Sequence, residues 1–117
     1  MQVQAITKNV RMSAQKMREV VRQIQGLPTG HAQAVLAVVP RKGARLVAKT
    51  LKSAVANAED LKEHKKEYNG MRTDRLFIKE AVAQTAATIR RFTPKARGSA
   101  GPILKRSCHI KIVLSDE

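Results

Sequence analysis

Between Arg90 and Arg106 the chain reads RRFTPKARGSAGPILKR, with six positive charges (Arg90, Arg91, Lys95, Arg97, Lys105 and Arg106) and no acid. Charge of this density and purity does one kind of chemistry: it displaces counterions from closely spaced phosphates. Pro94, Gly98, Gly101 and Pro102 interrupt the segment, and its few apolar residues keep no sustained period. Alternating segments on either side read as β-strands, so the outline is a hairpin whose far end has no core of its own. Two strands projecting alone are marginally stable in water, and a surface of packed phosphates is the partner they call for.

No other set of residues assembles into a reacting site. His31, His64 and His109 are widely separated and fall on different predicted elements. Cys108 and His109 are adjacent, which on a strand points their side chains to opposite faces and prevents a nucleophile–base pair. Cys108 is therefore expected to be structural. With one cysteine, no CxxC and no HxxxH, no metal site is predicted. The GSAG run at Gly98–Gly101 lacks the Lys-Ser/Thr and the following helix of a phosphate loop, so it reads as a turn. None of the nine carboxylates lies in the basic segment, which makes paired acid–base work there implausible. The sequence reads as a non-enzyme, with no cofactor and no small-molecule substrate.

The elements that must hold the hairpin belong to one compact domain, the natural reading of 117 residues. Only 3% of residues are aromatic, so the core must be built from Ala, Val, Ile and Leu, and it will be small if the hairpin lies outside it. The net charge of +14 points to nucleic acid or an anionic membrane. Neither an apolar span nor an anchoring amphipathic helix supports a membrane. The start, MQVQAITKNVRMS, does not look like a signal peptide, and a lone cysteine fits a reducing cytosol.

Val3 to Asn9 alternates loosely and predicts a short strand. Ser13 is placed to cap a first helix, Ala14 to Gln25, closed by Gly26, with Met17, Val20, Val21 and Ile24 toward the core. Thr29 can cap a second helix, Gly30 to Val38, and Pro40 fits the start of a third that runs to about Leu61. In the third helix Ala44, Val47, Leu51, Val55 and Ala58 form one stripe, and Arg41, Lys42, Arg45, Lys49 and Lys52 the opposite face. A charged face is commonly just solvated. Here the cations meet no acid before Glu59, so local pairing does not account for them and phosphate contact is favoured. Lys62 to Thr73 reads as a surface loop, and Arg75 to Phe92 as one extended segment. Ser107 to Leu114 returns antiparallel with Cys108, Ile110, Ile112 and Leu114 on one face. The small side chains of Ala81–Ala87, AVAQTAA, invite close approach by something bulky.

The kind of nucleic acid follows by elimination. Reading a DNA major groove wants a helix with base-reading Arg, Asn or Gln, and the third helix offers Lys and Arg beside small residues. A sheet with stacked aromatic platforms needs more than the two Phe residues present. What remains is recognition of the shape and charge of a large folded RNA, with the basic extension threaded between its helices. A basic DNA-architectural protein is the alternative reading; it would bind duplex DNA comparably and self-associate.

Three blocks carry a resemblance: SAQKMREVVRQIQG at Ser13–Gly26, LKSAVANAED at Leu51–Asp60 and RRFTPKARGSAGPILKRSCHIKIVLSD at Arg90–Asp116. In order and spacing they resemble the large-subunit ribosomal protein family numbered twenty-two, over nearly the whole chain. The resemblance implies an α+β fold, three helices on a small three-stranded antiparallel sheet with a long β-hairpin extension. It divides the chain into a body of about 1–84 and 107–117 and a hairpin of about 85–106. It also implies binding to several domains of large-subunit rRNA, neighbouring ribosomal proteins and support of subunit assembly, in the cytoplasm on the ribosome. The hairpin would line the peptide exit tunnel and meet the nascent peptide at its constriction. By that likeness Arg90, Arg91, Lys95, Arg97, Lys105 and Arg106 face RNA and tunnel, with the tip at Lys95, Ala96, Arg97, Gly98, Ser99 and Ala100. Ser13, Lys16, Ser53 and Asn57 become RNA contacts of the body. Two departures are Ser99, where members commonly carry a basic residue, and Ser107–Cys108, where they carry Thr-Ser. The lack of a transit peptide favours a bacterial setting over an organellar one.

About eleven residues per strand beyond the body, at roughly 3.3 Å each, would reach on the order of 35 Å. A ribbon of that length is expected to be mobile in the free protein and ordered on RNA.

Overall fold

The chain's central element is its last strand. The computed structural model describes residues 1–116, and Glu117, at the end of the predicted body, lies outside them. In chain order the elements are β1 (Gln2–Val10), α1 (Ala14–Ile24), α2 (Thr29–Val38), α3 (Lys42–His64), β2 (Phe77–Thr85), β3 (Ile89–Pro94), β4 (Ala100–Lys105) and β5 (Cys108–Ser115). Short 3-10 turns occupy Lys66–Tyr68, Thr73–Arg75 and Ala96–Gly98. The fold is α+β: three helices packed on a three-stranded antiparallel sheet ordered β1-β5-β2, with β3 and β4 as a separate hairpin.

The alternation in β5 sets the layers. Cys108, Ile110, Ile112 and Leu114 are fully buried on one face. The register puts Val3 and Ile78 beside Leu114, Ala5 and Ala81 beside Ile112, and Ala83 beside Ile110. Helices α1 and α3 cover this row. Met17, Val20, Val21 and Ile24 of α1 recur at helical spacing and are at most 2% exposed. Ser13 caps α1 through its Oγ, which accepts from the Lys16 N–H at 3.4 Å, and Gly26 ends it at φ +79°, a conformation that suits glycine. The small side chains of β2 are approached by α1 itself: Arg18 Nε donates to Ala83 O at 3.2 Å, and Gln25 Nε2 donates to Ala81 O.

Several boundaries differ from the sequence expectation. Thr29 lies inside α2; Pro28 precedes it, and its carbonyl accepts the first helical bond from Ala32 N–H at 2.9 Å. Helix α3 begins at Lys42, two residues after Pro40, and runs on to His64. Its buried stripe includes Thr50 and Ala54, while Val55 is half-buried. Thr50 is tolerated there because its hydroxyl is bonded to Thr7 Oγ1 at 2.7 Å and to Leu46 O at 3.1 Å. The polar loop after α3 is pinned by Met71, which is 1% exposed. Asp116 fastens the same region: it accepts from the Met1 ammonium at 3.0 Å and the Arg72 N–H at 3.2 Å, and these bonds hold its carboxyl below the usual range.

With neither Phe77 nor Phe92 in the core, close helix packing supplies what aromatics would. Gly43 of α3 sits against α1: a Cβ there would lie 3.2 Å from Met17 Sδ and Val20 Cγ2 and 3.3 Å from Met12 Cε. Gly43→Val should therefore destabilise the protein by about 1–3 kcal/mol. Gly30→Ala in α2, where nothing lies within 4 Å, should leave stability unchanged or raise it by up to ~1 kcal/mol. Urea unfolding of the two variants checks both signs.

Candidate nucleic-acid interface

The hairpin leaves the body through a break in the sheet. Thr85 pairs with Cys108 and Ile89 with Lys105, so residues 86–88 on one side oppose only 106–107 on the other. The surplus residue interrupts the ladder, as a bulge does, and frees the ribbon to take its own direction. Three bonds bridge the break: Ala86 N–H to Ser107 O at 3.1 Å, Ser107 Oγ to Ala87 O at 2.6 Å, and Arg11 Nη1 to Arg106 O at 3.3 Å. The extended segment expected from Arg75 to Phe92 is thus divided between two strands, β2 and β3. Together they produce a long axis of 67 Å against 28 and 16 Å, and a radius of gyration of 17.7 Å where a globule of this length has about 13 Å.

Pairing of β3 with β4 runs from Ile89·Lys105 to Pro94·Ala100. At the turn the Lys95 N–H donates to Ser99 O at 2.7 Å. Alternation then makes 93·101 and 91·103 hydrogen-bonded pairs, and 94·100, 92·102 and 90·104 non-hydrogen-bonded ones. Both prolines, Pro94 and Pro102, occupy the second class, where the missing N–H would have pointed away from the ribbon. One face carries Arg90, Phe92 and Pro94 with Leu104, Pro102 and Ala100; the other carries Ile89, Arg91 and Thr93 with Lys105, Ile103 and Gly101. The tip turn spans Lys95–Ser99, with Arg97 at φ 62° and Gly98 at φ 73°; Ala100 already belongs to β4. Arg97 stands at the apex. Lys95 folds back along the ribbon over Gly101, whose added Cβ would come within 2.7 Å of Lys95 Cε.

Four large apolar side chains stay uncovered on this ribbon: Phe92 (76% exposed), Leu104 (46%), Ile89 (43%) and Ile103 (40%). They are as informative as the cations, since a two-stranded ribbon gives them nothing to pack on.

Where the hairpin meets the body, an open cleft of about 680 Å³ gathers Arg11, Ser13, Lys16, Lys42, Lys105 and Arg106. Five of the six are cationic, and they come from three distant stretches of chain. Arg11 was not legible as a site residue; its only signal is its position two residues before the Ser13 cap. The other predicted residues fare unequally. Arg41 forms an ion pair with Glu19 of α1, and Lys42 Nζ donates to Arg11 O at 3.3 Å, so both also tie α3 to the body. The acid for Arg41 is therefore distant in sequence, on α1, and local pairing within α3 plays no part in it. Asn57 Nδ2 donates to Gln4 O at 3.3 Å and binds α3 to β1. Arg45, Lys49, Lys52 and Ser53 are exposed along α3. Among the described residues Arg41 is the one Lys or Arg side chain, of twenty-three, in an ion pair. The positive charge is left for a partner to neutralise.

The family model described as ribosomal protein L22p/L17e matches residues 5–115. The large ribosomal subunit protein uL22 of Opitutus terrae is 47% identical over 116 residues, covering 99% of this chain and 96% of its own length. Proteins of the same name from Akkermansia muciniphila (44% identical, 100% of this chain and 98% of its own length) and Aquifex aeolicus (42%, 97% and 79%) are also similar.

Groups that could carry other chemistry are held apart or inert. Among the described residues no cluster of three or more His, Cys, Asp or Glu could hold a metal ion. His109 Nδ1 accepts from the Asn9 N–H at 3.1 Å, His64 is paired with Asp60, and His31 is exposed on α2. Cys108 is fully buried, and burial pushes its thiol above its ordinary pKa, which starves it of thiolate. Iodoacetamide at neutral pH should leave Cys108 unmodified in the native protein and alkylate it fully in urea. Rapid native labelling would show that β5 does not hold the centre of the sheet.

Proposed function

Since the chain belongs to the ribosomal protein L22p/L17e family, we propose that it is a structural, non-enzymatic constituent of the large ribosomal subunit that binds rRNA through the basic surfaces described above. It works in the cytoplasm on the ribosome, beside other ribosomal proteins. The observation that carries this reading is the acid-free ribbon of residues 90–106, whose cations form no ion pair among the described residues and whose apolar side chains have no core. Only a polyanion thick enough to surround a ribbon satisfies both, and folded rRNA is that.

In detail, residues 1–84 and 107–117 act as the body and 85–106 as the inserted hairpin. Arg90, Arg91, Lys105 and Arg106 contact rRNA of several domains along the ribbon. The tip from Lys95 to Ala100, with Arg97 foremost, lines the peptide exit tunnel and meets the nascent peptide at its constriction. On the body, Ser13, Lys16, Arg41, Lys42, Arg45, Lys49, Lys52, Ser53 and Asn57 touch RNA. Lys16 and Lys42 do so in the cleft at the hairpin's base, where the Ser13 hydroxyl accepts from Lys16 N–H and keeps its own O–H to donate to a phosphate. Support of subunit assembly follows from geometry of this kind: a body on the surface and a ribbon inside fasten RNA segments that are distant in sequence.

In a sucrose gradient the protein should comigrate with large subunits and stay on them through a high-salt wash, because an inserted ribbon is held by more than surface charge. Release by the wash, or migration with the nucleoid, would return the DNA-architectural alternative. Replacing Arg90, Arg91, Lys105 and Arg106 together by Gln should lower the salt dependence of rRNA binding by about three in the log–log slope, at roughly 0.7–0.9 per phosphate contact. Amides of residues 90–106 should exchange quickly in the free protein and be protected in the subunit.

A further inference from the structure

We propose that Phe92 is a stacking platform for an unstacked rRNA nucleobase, seated against the ring near the hairpin tip; the proposal rests on the rRNA-binding reading above. Phe92 is 76% exposed, on a two-stranded ribbon that offers its ring no interior. It occupies a non-hydrogen-bonded pair with Pro102, the class in which facing side chains stand closest, so a rigid pyrrolidine ring stands opposite to limit its motion. An open recess of about 290 Å³ adjoins it, walled by Phe92, Pro94, Gly98 and Ala100, with Thr93 and Ser99 as the polar members and no charged side chain. The small residues of the turn leave room for a flat occupant.

Two observations select the occupant. Six cations and no acid in residues 90–106 fix the surroundings as anionic, and the anionic polymer that also presents flat apolar faces is RNA with a base out of its stack. A peptide adding as a third strand is disfavoured on both edges, because Pro94 on β3 and Pro102 on β4 each remove an outward N–H. Charge and stacking are separate terms here: the arginines take phosphates, and Phe92 takes a base.

The test titrates full-length variants onto protein-free large-subunit rRNA and probes base reactivity in subunits reconstituted with each. Phe92→Ala and Phe92→Leu should weaken binding on the order of 10- to 100-fold and expose at least one base to methylation, with Phe92→Tyr or Phe92→Trp restoring both. The salt slope should be unchanged in Phe92→Ala, whereas Arg90→Gln should lower it by about 0.7–0.9. Folding is not at risk at so exposed a position, and unfolding curves of the variants should superimpose. Wild-type affinity and base protection in Phe92→Leu overturn the proposal, since packing against any aliphatic surface would then suffice. So does a photocrosslink from position 92 that joins nascent peptide and not rRNA. Failure of the wild-type protein itself to bind rRNA would instead overturn the functional reading beneath it.

Discussion

The structure depends on charge that the chain does not compensate. A net +14 with, among the described residues, one side-chain ion pair involving a Lys or Arg leaves a surface whose electrostatic energy falls when anions arrive. The hairpin is where that constraint is sharpest. It cannot be stabilised by burial, because two strands enclose nothing, and it cannot recruit acids without losing its affinity. Its cations, exposed apolar side chains and length therefore make sense together only as half of an interface.

The body is organised to give such a ribbon a firm base. Strand β5 is the middle strand of the sheet and also the continuation of β4, so the ribbon is anchored in the most buried element available. β2, the continuation of β3, lies under α1, which reaches its backbone through Arg18 and Gln25. Both legs are thus fixed, while the surplus residue at 86–88 gives the ribbon a direction independent of the sheet. The basic cleft lies at this junction, with Arg11 both lining it and holding the Arg106 carbonyl. A phosphate bound there would touch the body and the hairpin's base at once.

What could be read from the sequence was what is local. The alternating burial of Cys108 to Ile112 in β5, the helical spacing of Met17, Val20, Val21 and Ile24, and the Ser13 and Gly26 caps each depend on residues a few positions apart. The acid-free stretch around the tip was visible for the same reason. Non-local facts were not. Thr50 is buried because Thr7, forty-three positions away, supplies a partner, and hydropathy alone favoured Val55. Met71 sits in a polar loop and is buried by contacts that no periodicity announces. Arg41 finds Glu19 across a helix pair. The break at 86–88 comes from a mismatch of one residue between two segments, each of which reads as continuous strand. The cleft draws its cations from three segments, so its membership, Arg11 above all, required the fold.

A ribbon with the RNA-binding role proposed here must also be kept from adhering to its copies. Ile89, Phe92, Ile103 and Leu104 are the kind of exposed apolar set that drives association, and both edges of a free two-stranded ribbon invite further strands. Two devices oppose this. Pro94 and Pro102 stand in non-hydrogen-bonded pairs, so each edge lacks a donor where an incoming strand would need one. The six cations repel a second ribbon at every approach that would bring the apolar side chains together, and the repulsion vanishes against phosphate. The same charges therefore act twice, attracting the intended partner and excluding the unintended one. That charge is what allows the apolar residues to be left uncovered without joining one copy to another.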